Sequence, residues 1–212
     1  MVKNFIKLFF SKVPGVKSII EKIAQLECLI ASSWVSNAHK RLMKIQWGIP
    51  PVPEHFDHQI DLYYKWLKSR NPMWLERGVF GSLALLGGDV LELACGDGFN
   101  ARNFYSINSK KVIACDFDPI AIRTAKRKNS AQNVEFILRD IRSNMPVGKF
   151  QNVVWDAAIE HFTIKEMEEI FKNIKERLTP NGILSGYTII RRQDGSKSLE
   201  HHEHEFLNKQ DL

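Results

Sequence analysis

Acidic residues and glycines lie close together in the segment VLELACGDGFN, residues 90–100. Glu92 falls inside an apolar run, and Ala94, Gly96 and Gly98 follow it at every second position. Glycines let the backbone turn tightly after a strand and approach a ligand, while the following helix offers its N-terminal amides. The segment therefore predicts a ligand-binding turn at the end of a strand.

The spacing of this turn argues against a dinucleotide. If Gly96 is the second glycine of G-x-G-x-x-G, Ala94 stands at the first position and Phe99 at the third. An acid at Glu92 would repel a pyrophosphate, but it suits a ligand whose nearest groups are an ammonium or hydroxyl donors. The turn favours a cationic cofactor such as S-adenosylmethionine, and a nucleotide-sugar or dinucleotide enzyme is the weaker alternative.

Further acids follow the turn at the ends of strand-like segments. Asp116 comes about twenty residues after the turn, where a carboxylate can accept two hydrogen bonds from a ribose diol. Its alternative role, a helix cap ahead of Pro119, suits Asp118 better, because Pro119 would then be the first helical residue. Asp140 ends VEFILRD, and its alternative role is that of a solvated loop acid.

In this order the motifs resemble those of class I S-adenosylmethionine-dependent methyltransferases. VLELACGDG is similar to the first motif of that family, and VIACDFDPIAIRTAKRK to its second strand and helix. FQNVVWDAAIEHF is similar to the fourth strand with its loop, and IFKNIKERLTPNGILSGYTII to the helix and fifth strand that follow. The resemblance covers roughly residues 75–210.

The resemblance implies roles for residues around the turn. Asp116 would hold the ribose hydroxyls, Phe117 would lie against the adenine, and Asp140 would accept from the adenine amino group with Ile141 beside it. Arg77, just ahead of the first motif, would meet the carboxylate of the cofactor as a planar donor fork. A surface arginine is the alternative for Arg77.

The loop WDAAIEHF supplies the candidate catalytic residues Asp156, Glu160 and His161. Methyl transfer from a sulfonium is an in-line displacement, so much of the catalysis is positioning, and a base is needed only if the acceptor loses a proton. His161 is the first candidate base because its unperturbed pKa is near neutrality. Alternatively, Glu160 and His161 only open the following helix. The loop lacks Asn-Pro-Pro-aromatic, which disfavours nucleic acid as acceptor.

The tract EHHEHEF contains His201, His202 and His204. Histidine-rich tracts bind metals, but three imidazoles in one run between glutamates have poor geometry for a single ion, so we expect no metal site. In the resembled family this region borders the acceptor, which makes His204 and Glu205 candidate acceptor contacts.

After residue 88 the pattern alternates between short apolar strands and helices, which predicts a doubly wound, mostly parallel α/β sheet of the Rossmann-like type. The predicted strands are Asp89–Ala94, Lys111–Cys115, Val134–Leu138, Asn152–Asp156 and Gly182–Ile190. The predicted helices are Asn100–Ile107, Pro119–Asn129 and Thr163–Leu178. The resembled family continues with two more strands, so we expect a C-terminally incomplete domain with ILSGYTII at an exposed apolar edge.

Residues 1–48 differ from the rest. The first twenty residues contain four lysines and no acidic residue, and apolar residues recur at helical spacing from residue 16 onward. This predicts an amphipathic helical extension, with WGIPPVPEHF as the boundary to a domain over residues 54–212. Residues 1–33 either touch an anionic membrane surface or a protein, or pack on their own domain or on a second copy, as in a homo-oligomer.

Composition sets wide limits on the function. The chain has 212 residues and a formal net charge of +6, a modest excess that singles out no partner. Cys28, Cys95 and Cys115 are scattered and odd in number, which fits a reducing compartment. Since no apolar run approaches the length of a membrane span, we expect a cytoplasmic, at most membrane-peripheral, protein. The aromatic residues Tyr63, Tyr64, Trp66 and Trp74 either line a pocket or pack against the domain.

The expected function is methyl transfer from S-adenosylmethionine to a small-molecule acceptor. The lysine-rich start is similar to that of bacterial enzymes of cell-surface polysaccharide clusters, which makes a sugar or a glycan precursor the expected acceptor. The alternative is a protein that binds the cofactor but acts as an inactive scaffold or interaction protein.

Overall fold

The computed structural model of the chain describes residues 15–48 and 73–211. The chain divides into two compact units, Met1–Val52 and Pro53–Leu212. The described part of the first unit is a single long helix, α1, at Val16–Gly48. Tyr63, Tyr64 and Trp66 fall outside the described residues, as does the side chain of Trp74, so their pocket role stays a prediction.

The second unit is a five-stranded parallel sheet with helices between the strands. Its order is β3-β2-β1-β4-β5, and every neighbouring pair is parallel. In chain order the elements are α2 (Met73–Leu83), β1 (Asp89–Leu93), α3 (Phe99–Asn103), β2 (Lys111–Asp116), α4 (Pro119–Lys128), β3 (Val134–Leu138), β4 (Phe150–Asp156), α5 (Ile164–Arg177) and β5 (Leu178–Tyr187). Short 3-10 turns lie at Tyr105–Asn108, Ile159–His161 and Lys209–Asp211.

Both faces of the sheet are covered, because successive strand residues point to opposite sides. On one face Leu91 and Val153 pack with Ile170 of α5. On the other face Val90 and Val154 belong to a separate apolar cluster with residues of α3 and α4. The strand order reverses between β1 and β4, since β2 and β3 lie on one side of β1 and β4 and β5 on the other. This reversal places the expected ligand crevice at the carboxyl end of β1. The predicted doubly wound class is confirmed.

The largest differences from the predicted bounds lie at the ends of two elements. The helix after the glycine turn stops at Asn103 and gives way to a 3-10 turn, so Asn100–Ile107 is not one helix. β5 begins at Leu178, four residues before the predicted start, and ends at Tyr187. Within the described residues β5 is one of the two edge strands, and its Ile183 and Leu184 remain 39% and 37% exposed. The apolar edge expected from ILSGYTII is present.

The helix α1 keeps its apolar side chains at the surface. Ile19, Ile23, Leu26 and Ile30 repeat at helical spacing, and all four are exposed. Among the described residues, none of the helices combines the length and apolar character needed to cross a bilayer.

Candidate cofactor and acceptor site

The glycine turn follows β1 as predicted, and Asp116 holds it. Ala94, Gly96 and Gly98 have φ of 53°, 55° and 73°, so the backbone is left-handed at alternate positions. The Gly96 amide donates to Asp116 Oδ2 at 2.9 Å. A Cβ on Gly98 would lie 2.3 Å from the Phe136 ring, so this glycine is needed for both conformation and space.

A second support of the turn comes from Asn129, a residue that no sequence motif singles out. Asn129 is buried at the C-terminal cap of α4, and its Nδ2 donates to the carbonyl of Asp97 at 2.7 Å. Asp97 is also buried, and its Oδ1 accepts from the Phe99 amide at 3.1 Å. Asp97 thus serves the turn itself. Burial raises the pKa of the Cys95 thiol, which makes this cysteine a packing residue rather than a nucleophile.

Glu92 is buried in β1 without a full set of partners. Its side chain is 3% exposed, and Oε2 accepts no hydrogen bond. Burial raises the pKa of Glu92, and the charges of Asp156, Asp97 and Asp116 raise it further. An unpaired buried carboxyl costs free energy, and a cationic or donor-bearing ligand would remove that cost. The orphaned oxygen therefore fits the ammonium end of the predicted cofactor.

A cleft opens beside the turn and collects most of the predicted binding residues. The predicted residues that line it are Ala94, Asp116, Phe117, Asp140, Ile141 and His161. Arg139, Arg142, Ala158 and Phe162 complete the lining. The cleft thus joins the ends of β1, β2, β3 and β4, as the strand order requires.

Asp116 and Asp140 differ in their hydrogen-bond partners. Asp116 Oδ1 accepts from the Asp118 amide at 2.9 Å, while Asp118 caps α4 by accepting from Ile120, as predicted. Asp140 forms a bidentate ion pair with Arg142, with Nη2 to Oδ2 at 2.7 Å. Hydrogen bonding from Arg142 lowers the pKa of Asp140, which keeps it an acceptor for any ligand amino group.

Arg77 is a buried residue, so the alternative of a surface arginine is wrong. Its guanidinium binds Asp156 through Nη2 at 2.5 Å and Nε at 3.1 Å, and it lies over the Tyr187 ring at 4.8 Å. Asn100 Nδ2 adds a hydrogen bond to Asp156 at 3.3 Å. The ion pair joins α2 to the end of β4, and a carboxylate engaged in this way is poorly placed to accept a proton.

Glu160 is buried between the loops that follow β4 and β5. Its Oε2 accepts from Thr188 Oγ1 at 3.0 Å. Its backbone carbonyl accepts from the amides of Glu203 and His204 at 2.9 and 3.1 Å. Burial raises the pKa of the Glu160 carboxyl. The Glu160 side chain therefore links the two loops and is not among the residues that line the cleft.

His161 lines the cleft, but the reason given for it as a base is wrong. Burial, followed by the neighbouring His202 and His201, lowers the pKa of His161 to about 4, away from neutrality. The alternative role is wrong as well: α5 is capped by Thr163 with Glu166, so Glu160 and His161 do not open it.

Comparison with known proteins agrees with this geometry. Residues 90–182 match a family described as a methyltransferase domain. The solved DhpI-SAH complex shares the fold with a TM-score of 0.51 at 23% identity, over 63% of this chain and 69% of that one. The DhpI-SAM-HEP complex gives 0.50 at 22% identity, over 78% and 68%. Residues 90–182 are thus similar to methyltransferase domains, and the fold around them is that of the two DhpI complexes.

The alignments with the curated relatives cover only part of the length of those relatives. The ribosomal protein L11 methyltransferase of Vibrio campbellii is 29% identical over 112 residues, which are 53% of this chain and 35% of that protein. The Vibrio cholerae counterpart is 28% identical over 120 residues, 57% of this chain and 38% of that protein. The two DhpI complexes are named for SAM and SAH, the donor and its demethylated product, in agreement with the predicted cofactor.

The tertiary partners on the β4 and β5 side of the sheet were not predicted from the sequence. The pairing of Arg77 with Asp156 and the bond from Thr188 to Glu160 join residues that no local motif connects. His201 and His202 pack against His161, with ring centroids 5.2 and 4.9 Å away. The available signal was an imidazole after β4 together with two after β5, since both strand ends face the same edge of the sheet.

Proposed function

We propose that this chain binds S-adenosylmethionine in the cleft beside β1 and transfers its methyl group to a small-molecule acceptor. The observation that carries the proposal is Glu92, a buried carboxyl with an unpartnered oxygen directly before the glycine turn. A dinucleotide would bring a pyrophosphate to this place, and repulsion by Glu92 disfavours that ligand.

The residues around the cleft have the chemistry that an adenosyl group needs. Asp116 has acceptor oxygens for the ribose diol, the half-exposed ring of Phe117 offers an apolar face to the adenine, and Asp140 accepts from its amino group. Ile141 lies beside Asp140 and contributes apolar contact. Arg77 stands buried on α2, where a cofactor carboxylate would have to compete with Asp156 for its guanidinium.

When bound, S-adenosylmethionine supplies a methyl group already activated on a sulfonium, so the protein acts mainly by positioning the acceptor. Asp156 is tied to Arg77, and Glu160 accepts from Thr188. His161 is the candidate that lines the cleft. We therefore propose that His161 orients the acceptor at the transfer point and that Asp156 and Glu160 keep the surrounding loops in place.

The cofactor part of the proposal is tested by calorimetric titration with SAH, S-adenosylmethionine and NAD. We expect both adenosyl compounds to bind and NAD not to bind. Asp116→Asn should weaken SAH binding about 100-fold, because it removes charge-assisted acceptors of the ribose and of the Gly96 amide. The matched control is Glu135→Gln, an exposed acid on β3 that pairs with Lys111 and should bind SAH like the unaltered chain. Binding of NAD but of neither adenosyl compound would overturn the proposal.

The acceptor is proposed to be a sugar or a glycan precursor. The test incubates the protein with S-adenosylmethionine labelled on the methyl group and, separately, with nucleotide sugars, with lipid-linked glycans and with ribosomal protein. Label in a carbohydrate fraction supports the proposal, whereas label in ribosomal protein alone contradicts it. SAH binding without transfer to any fraction would favour the inactive scaffold.

We also propose that α1 docks the enzyme on an anionic membrane surface. Its exposed apolar side chains Ile19, Ile23, Leu26 and Ile30 support this proposal, and so does the lysine-rich segment before it. Sedimentation with vesicles of anionic lipid should retain the unaltered chain and lose Ile23→Asp, while Gln25→Asp, at an exposed position on the other side of α1, serves as the matched control. Equal sedimentation of both variants, or none by the unaltered chain, would contradict the proposal.

A further inference from the structure

Three imidazoles from two separate segments meet at the β4 and β5 end of the sheet. His161 ends the 3-10 turn after β4, while His201 and His202 come from the loop after β5. One ligand nitrogen of each lies within 4.8 Å of the corresponding atoms of the other two. We call these three residues the histidine cluster.

Backbone bonds fix the histidine cluster in place. The amides of Glu203 and His204 donate to the Glu160 carbonyl, the residue just before His161. Farther along, Ile190 and Phe206 form a parallel bridge, and the Arg191 amide donates to Phe206 at 2.8 Å. The two loops are therefore registered to each other independently of the imidazole rings.

A buried carboxylate orients one ring of the cluster. His202 Nδ1 lies 2.5 Å from Glu205 Oε1, and the two side chains are 2% and 0% exposed. The Glu205 oxygens are themselves held by the Ser198 amide at 2.8 and 2.9 Å. A carboxylate on one ring nitrogen, itself hydrogen-bonded, is the arrangement that fixes metal-binding histidines, because it leaves the other nitrogen for the ion.

We propose that His161, His201 and His202 bind a divalent transition metal, with zinc as the leading candidate. Imidazole nitrogens suit zinc and its neighbours in the first transition row, whereas magnesium and calcium prefer oxygen ligands. Tetrahedral zinc at 2.0–2.1 Å from each nitrogen places the nitrogens roughly 3.3 Å apart. Since the ligand atoms lie within 4.8 Å of one another, binding the ion would bring them closer by up to about 1.5 Å.

The site leaves one coordination position open. In the described part of the chain, no other histidine, cysteine or carboxylate joins the three imidazoles. Three protein ligands with a vacant fourth position are typical of zinc sites that bind water or a substrate. His161 also lines the cleft beside β1. The fourth ligand is thus an oxygen of the acceptor or a water, an assignment that rests on the proposed function.

Simple ring packing is the competing explanation of the cluster. His161 and His201 are stacked with an interplanar angle of 10°, and both meet His202 edge to face. Packing would tolerate another flat ring at these positions, whereas metal binding requires the nitrogens. A change of His201 to Phe therefore distinguishes the two explanations.

The experiment titrates the full chain, after treatment with a chelator, with zinc by calorimetry and with cobalt by visible absorption. We expect one ion per chain with a dissociation constant in the micromolar range or below, and a cobalt spectrum typical of tetrahedral nitrogen ligands. His201→Ala and His201→Phe should each weaken binding at least 100-fold. The control is His204→Ala, which removes a neighbouring imidazole that packs on Phe206 outside the cluster, and it should bind like the unaltered chain.

Thermal unfolding followed by circular dichroism guards against a folding defect. Without metal, His201→Phe and the unaltered chain should melt together, and zinc should raise the melting temperature of the unaltered chain alone. The proposal is overturned if the unaltered chain binds no zinc, if His201→Phe binds it normally, or if His204→Ala loses as much affinity. A parallel SAH titration separates this result from the proposed function, because SAH binding without zinc binding refutes the metal site only.

Discussion

Two halves of the sheet edge are held in different ways, and we name them by their proposed roles: the cofactor side lies after β1, β2 and β3, and the acceptor side lies after β4 and β5. After β1, β2 and β3 the hydrogen bonds that hold the loops join residues close in the chain, as where Asp118 accepts from the Ile120 amide. Others join successive motifs, as where Asp116 accepts from the Gly96 amide twenty residues away. After β4 and β5 the bonded residues are distant, as with Arg77 on Asp156 across 79 residues. Contacts within and between sequence motifs hold the cofactor side, whereas tertiary contacts between distant residues hold the acceptor side. Changes on the acceptor side should therefore cost stability, and changes on the cofactor side should mainly cost binding.

The largest expected effect is on the acceptor side, at the buried ion pair of Arg77 and Asp156. Arg77→Met leaves the Asp156 carboxylate buried without its cation, which should lower the free energy of unfolding by about 3–5 kcal/mol. Urea unfolding followed by circular dichroism measures this loss.

The matched control for this prediction removes both charges at once. The double variant Arg77→Met with Asp156→Leu should recover most of the lost stability, because it leaves no unpaired buried charge. Equal instability of the single and double variants would show that Arg77 acts by packing on Tyr187 instead.

On the cofactor side, Glu92→Gln should gain stability and lose binding. Because burial raises the pKa of Glu92 in the folded state, its contribution to stability is fully present below the unfolded pKa and is lost as the pH rises through the folded pKa. At neutral pH the variant should be more stable by about 1–2 kcal/mol. It should also bind SAH at least 10-fold more weakly.

The pH dependence of these two properties provides the check. In the unaltered chain SAH affinity should rise with pH as Glu92 loses its proton, while the free energy of unfolding falls over the same interval. Both slopes should be reduced in Glu92→Gln, in calorimetric titrations and in urea unfolding at several pH values. A variant that is less stable than the unaltered chain at neutral pH would contradict this account of Glu92.

The smallest expected effect concerns a strained alanine after β4. Ala157 has φ of 48°, a left-handed conformation that costs alanine about 1 kcal/mol. Ala157→Gly removes this strain but adds freedom to the unfolded chain, for a net gain of about 0.5 kcal/mol in urea unfolding. The neighbouring Ala158 has φ of −143°, so Ala158→Gly should instead lower stability. Similar losses in both variants would mean that the left-handed backbone carries no strain.

The same contrast explains what the sequence could predict. Ala94, Asp116, Phe117, Asp140 and Ile141 were predicted from motifs and line one cleft, because residues at the ends of adjacent parallel strands converge. The base role of His161 was argued from its ordinary pKa, which desolvation overrides once the loop after β5 covers the ring. Likewise the histidine run after β5 has poor geometry for a metal when it is considered alone, and only the folded sheet places His161 beside it.

The carbonyl of Glu160 couples the movement of the loops after β4 and β5. Because it accepts from both the Glu203 and the His204 amides, the segment after β5 cannot lift without breaking both bonds and separating His161 from His202. Amide hydrogen exchange at Glu203 and His204 therefore reports how often the acceptor side opens. A ligand that joins the three imidazoles would therefore slow exchange at both amides together.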